Sequence, residues 1–66
     1  MEIKVNGEKR QVDGPMTLLG LLEELGVRPQ TVVVELNLRV IPRGNMETEM
    51  VREGDSLEVI RLVGGG

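Results

Sequence analysis

Leu18, Leu21, Leu22 and Leu25 recur at the i, i+3, i+4 and i+7 spacing of a helix, and this apolar stripe lies between segments that alternate like strands. One amphipathic helix cannot bury its stripe against itself, so it has to lie across one face of a sheet. Thr17 is placed to cap the first turn, Gly26 fits the C′ position that ends the helix, and Pro29 follows just beyond. Gly20, inside the helix, costs about 0.5 to 1 kcal/mol relative to Ala, and close approach to the sheet is the expected reason for it. Glu23 and Glu24 read as a solvated face.

The flanking segments supply the sheet. Met1, Ile3 and Val5 alternate with Glu2, Lys4 and Asn6, and Asn6-Gly7 is a strong hairpin signal, because both positions of a type I′ turn need positive φ. A second strand is expected over residues 8–12, broken by Asp13-Gly14-Pro15. Residues 31–36 form a β-branched run, Asn37 begins a turn into a short strand at 39–41, and Pro42 ends it. Residues 43–50 read as irregular with room for one helical turn, Glu53-Gly54-Asp55 as a tight turn, and 57–62 as the last strand.

This order of hairpin, helix, strand pair, loop and final strand sets the first and last strands side by side and parallel at the centre. The expected fold is α+β of the β-grasp, or ubiquitin-like, type: a mixed sheet of four to five strands with one helix packed across one face. Residues 1–63 make the single domain and residues 64–66 a flexible C-terminal glycine tail. Alternation turns Ile3, Val5, Val34, Leu36, Leu57 and Val59 toward the helix, and Val33, Glu35, Glu58, Ile60 and Leu62 to the opposite face.

Side-chain chemistry is sparse. The 66 residues include no His, Cys, Phe, Tyr or Trp, so the core is built from Val, Leu, Ile and Met. Lack of Cys removes disulfides and thiol nucleophiles, and the only hydroxyls are Thr17, Thr31, Thr48 and Ser56. No catalytic residue follows from that set. The carboxylates fall on a helix face (Glu23, Glu24), a loop (Glu47, Glu49) and a turn (Glu53, Asp55), a spacing too unspecific to assign a metal. A net charge of -3, with eight scattered cations and no aromatic stacking, argues against nucleic acid. The absence of an apolar run long enough for a membrane and of Cys suits a cytoplasmic protein without membrane contact.

What remains is the ending, Leu62-Val63-Gly64-Gly65-Gly66. Taken alone, it also reads as a frayed terminus. Coupled to a strand, it is a slim arm that reaches about 13 Å over four residues and presents the Gly66 α-carboxylate, with Gly64 and Gly65 able to thread a narrow channel. An ionised carboxylate is a poor electrophile, so a partner must activate it with ATP and supply the nucleophile. Val33, Ile60 and Leu62, edged by Glu35 and Glu58, form the expected exposed strip on which that partner docks.

The chain resembles the ThiS family of sulfur carriers, within the ThiS/MoaD group, over essentially its whole length. The likeness rests on Ile3-Lys4-Val5-Asn6-Gly7-Glu8, Thr17-Leu18 through Leu22-Glu23-Glu24-Leu25-Gly26, Val34-Glu35-Leu36-Asn37 and Val40-Ile41-Pro42-Arg43. It continues through Glu53-Gly54-Asp55, Leu57-Glu58-Val59 and the terminal Val63-Gly64-Gly65-Gly66. The resemblance implies that a ThiF-like, E1-type enzyme adenylates Gly66 with MgATP, the carrier itself holding no cofactor. A persulfide derived from a cysteine desulfurase then yields a thiocarboxylate, which donates sulfur to a ThiG-like thiazole synthase. The chain is thus expected to be a co-substrate, not an enzyme. Leu38 and Leu62 depart from the family's usual polar and aromatic residues at those places. The same tail chemistry would also serve molybdopterin, tRNA thiolation or another acceptor, or a protein modifier, although Lys4 and Lys9 alone leave few sites for self-chains.

Overall fold

The computed structural model describes residues 1–62. Strand β1 (Glu2–Val5) returns as β2 (Glu8–Gln11) through Asn6 and Gly7, whose φ values of 52° and 83° are those of a type I′ turn. A two-residue strand, β3 (Met16–Thr17), leads into α1 (Leu18–Glu24). The Thr17 hydroxyl oxygen accepts the Gly20 amide at 3.1 Å, and Gly26 follows the helix at φ 73°. Both signals act where the sequence puts them. A 3-10 turn (Pro29–Thr31) then feeds β4 (Val32–Leu36), and a second hairpin gives β5 (Arg39–Ile41). Another 3-10 turn (Arg43–Asn45), β6 (Met50–Val51) and β7 (Ser56–Arg61) complete the order.

The main sheet runs β2-β1-β7-β4-β5. β7 is its middle strand, parallel to β1 at Lys4–Ser56 and Val5–Leu57 and antiparallel to β4 from Val32–Arg61 to Leu36–Leu57. This is the β-grasp arrangement with five strands, the upper end of the expected number. The helix covers one face: Leu18, Leu21 and Leu22 are buried together with Ile3, Val5, Val34, Leu36 and Leu57, while Leu25 and Val59 are half-buried at its rim. Face assignment by alternation therefore holds along β1, β4 and β7.

Two readings of the sequence need correction. Gly20 does not approach the sheet; a Cβ there would stand 3.2 Å from the Thr17 hydroxyl oxygen, so the position is tight against the helix's own cap. Residues 43–50 hold the helical turn for which the sequence left room, at Arg43–Asn45, but they also end in a strand that it did not show. Met16 and Thr17 pair antiparallel with Val51 and Met50, and this small second sheet, with the buried Met46 and Val51, closes the core beside the helix start.

Candidate functional site

β7 carries the chain toward its glycine ending, and both neighbours hold it. On the β4 side its even-numbered residues bond: the Leu62 amide donates to the Thr31 carbonyl at 2.9 Å, and the Ser56 carbonyl accepts the Asn37 amide at 2.8 Å. On the β1 side its odd-numbered residues bond, with the Asn6 amide donating to the Leu57 carbonyl at 2.8 Å. Two asparagines, both at φ 52° as first residues of hairpin turns, extend this framework with their side chains. Asn37 Oδ1 accepts the Ser56 amide at 3.0 Å while its Nδ2 donates to Asp55 Oδ1 at 3.0 Å. Asn6 Oδ1 accepts the Val59 amide at 2.7 Å. A strand fixed at both ends on a packed body gives whatever follows Leu62 a rigid point of departure.

The face turned away from the helix brings the expected surface residues together. Val33 stands directly opposite Ile60, and Glu35 directly opposite Glu58. Ile60 is 46% exposed and Leu62 52% exposed. Val33 is only half-buried rather than open, because β4 is an interior strand and Ile60 covers it from the next one. Glu35 and Glu58 are like charges across a strand pair, an arrangement that costs stability, and among the described residues neither has an ion-pair partner within 4.0 Å.

Sequence reasoning missed two members of this surface. Val40 pairs with Glu35 and is 56% exposed, so the apolar rim continues onto β5. Its signal was the alternation with the buried Ile41. Leu38 is 91% exposed at the hairpin tip and sits at φ 70°, a conformation that L side chains with a Cβ avoid.

Gly64, Gly65 and Gly66, the residues assigned to the threaded tail and the reacting carboxylate, lie outside the described residues, as does Val63. Within the body, one notch of about 310 Å³ is lined by Asn37, Arg39, Glu49 and Asp55, whose polar groups already bond to each other at 3.2 Å (Arg39–Glu49) and 3.0 Å (Asn37–Asp55). Among the described residues no three carboxylates gather as a metal site, and no helix is long and apolar enough to cross a membrane. Toward the end of the described chain the structure shows the firmly paired β7 and, beside it, the exposed surface of Ile60 and Leu62.

Comparison with known proteins bears on that end of the chain. The model of the ThiS family matches residues 3–66. A thiazole synthase of Paramagnetospirillum magneticum is 41% identical over 66 residues, covering 100% of this chain but 20% of that protein, so the chain spans about a fifth of the length of that relative. The sulfur carrier protein ThiS of Thermus thermophilus is 39% identical over 62 residues, 94% of this chain and 95% of its own. The crystal structure of the thiamine biosynthesis protein ThiS from Geobacter metallireducens superposes with a TM-score of 0.88 at 36% identity, covering 100% of both chains.

Proposed function

The chain belongs to the ThiS family, and from that premise we propose that it is a sulfur carrier protein serving thiazole formation in thiamine biosynthesis. The observation that carries this reading is a family match running through Gly66 in a chain that has no His and no Cys. Because the sequence pairs none of its hydroxyls with a His base and has no Cys, we take the tail carboxylate as the reacting group.

In the proposed sequence, a carboxylate oxygen of Gly66 attacks the α-phosphorus of MgATP in a ThiF-like, E1-type enzyme, and pyrophosphate leaves. A persulfide sulfur, derived from a cysteine desulfurase, attacks the acyl carbon of the mixed anhydride and displaces AMP. Thiol reduction of the resulting acyl disulfide leaves the thiocarboxylate. The acceptor is a thiazole synthase of the ThiG type, a pairing supported by a thiazole synthase that contains a segment like this chain. We place the carrier in the cytoplasm as a co-substrate, a setting that suits a chain without Cys.

The body's task in this scheme is to present the arm. Ordering each glycine of the tail costs about 1 to 2 kcal/mol, which docking of the Ile60–Leu62 surface offsets. The unneutralised Glu35–Glu58 pair suits a partner that brings cationic side chains. Intact mass spectrometry of the chain incubated with the activating enzyme, MgATP and a persulfide donor tests the reading. Replacement of one oxygen by one sulfur is expected; an unchanged mass, or isopeptide-linked products in its place, overturns it.

A further inference from the structure

The hydrogen-bond ladder on the β1 side of β7 stops short. β1 ends at Val5 and the chain turns away at Asn6, so the next rung, the Val59 amide, is taken by the Asn6 side chain at 2.7 Å. The Val59 carbonyl has only a long contact of 3.4 Å to Asn6 Nδ2. Arg61 comes next on the same edge. Its parity directs its N–H and C=O away from β4, and among the described residues neither has a partner. β7 is thus an interior strand for most of its length and a bare edge at its end.

Beside that edge lies a notch of about 250 Å³. Leu25, Val27 and Val59 give it apolar walls, and Arg10 and Arg61 stand at it. Both arginines are exposed, and no described carboxylate lies within 4.0 Å of either guanidinium. In a chain of net charge -3, two unpaired cations flanking an apolar hollow are a local reversal of the surface's sign. The opposite face at the same height presents Ile60 and Leu62. A strand laid along Arg61 would therefore meet apolar surface with its side chains on both faces.

We infer that the protein which takes up the tail lays a short extended segment against Arg61 as an added strand, placing an acidic side chain between Arg10 and Arg61 and an apolar one in the notch. The inference rests on the carrier reading, since it names the contact by which the activating enzyme grips the root of the arm. Unpaired backbone groups supply the pairing, and the two arginines select an acidic sequence over a neutral one.

The test uses the full-length chain and the purified adenylating enzyme. Arg61→Pro removes the edge donor while leaving the Ile60 and Leu62 amides that serve β4, and Ile60 already has the extended backbone that a following proline requires. Arg10→Glu with Arg61→Glu reverses the charge without touching the backbone. We expect each variant to keep the wild-type thermal midpoint to within a few degrees and to lose about tenfold in affinity, with the Arg61 amide of the wild type protected from exchange in the complex. Wild-type affinity in both folded variants, with free Arg61 exchange in the complex, overturns the inference and leaves the carrier reading standing. A wild-type chain that neither binds nor gains sulfur overturns both. Protection of Arg61 by self-association at high concentration assigns the edge to a second copy and likewise overturns it.

Discussion

Asn6 holds the Val59 amide on its side-chain oxygen at 2.7 Å, doing for the last strand what the first strand, already turned away, no longer can. The same residue supplies the positive φ of its hairpin turn. Asn6→Gly keeps the turn and loses the side-chain acceptor together with the long Nδ2 contact to the Val59 carbonyl, so a loss of about 0.5 to 1.5 kcal/mol is expected. Asn6→Ala adds the strain of a left-handed Cβ, a further 1 to 2 kcal/mol or so. Urea unfolding of the two variants separates these contributions, and faster exchange of the Val59 amide in both checks the cause.

Leu38 is the mirror case, a leucine in a turn position that Gly7 fills in the other hairpin. With its side chain 91% exposed, little packing is at stake. Leu38→Gly should raise stability by about 1 kcal/mol as the left-handed strain is relieved, part of the gain being lost to the freer unfolded chain. A thermal melt reads the sign directly, and a lower midpoint would show that Leu38 contributes packing in solution.

Glu58→Lys turns a like-charge pair with Glu35 into an opposite-charge one. Stability should rise by about 0.2 to 1 kcal/mol. Association with the activating enzyme should slow, most at low ionic strength. Stopped-flow binding across a salt series measures this, and an unchanged rate removes the carboxylates from the docking surface.

Ile60→Glu changes a side chain that is 46% exposed, so its cost to folding should stay below about 1 kcal/mol. Affinity for the activating enzyme should fall clearly. Titration calorimetry that finds equal affinity shows that the partner docks elsewhere on the body.

Deleting Gly66, or adding one residue after it, should abolish sulfur loading while the thermal midpoint stays unchanged. The reacting carboxylate is then at the wrong distance from a body docked as before. Mass spectrometry after incubation with the sulfur-loading enzymes decides it, and sulfur uptake by either variant removes Gly66 from its assigned role.

Much of the scaffold was legible because its signals are local. The leucine stripe, the Thr17 cap and the Asn6-Gly7 turn each act through residues close in sequence, and alternation along β4 and β7 assigned both sheet faces. The β3–β6 pair was not legible, since two residues per strand are too few to show a period. Gly20 was misread because its crowding comes from a rotatable hydroxyl. Val40 was within reach, but its strand received no face assignment. The bare edge at Arg61 depends on where β1 stops relative to β7, a register that no single segment encodes.

The position of β7 also bears on when the arm becomes usable. Its partners β1 and β4 emerge from the ribosome earlier, yet among the described residues the main sheet joins them to each other only through β7. Until synthesis has passed Arg61, the sheet lacks its middle and the leucines of the helix lack the cover of Leu57 and Val59. On the carrier reading, a chain cut before β7 is expected to lack the Ile60 face along with the middle of its sheet, so that docking would itself select chains whose folding is finished.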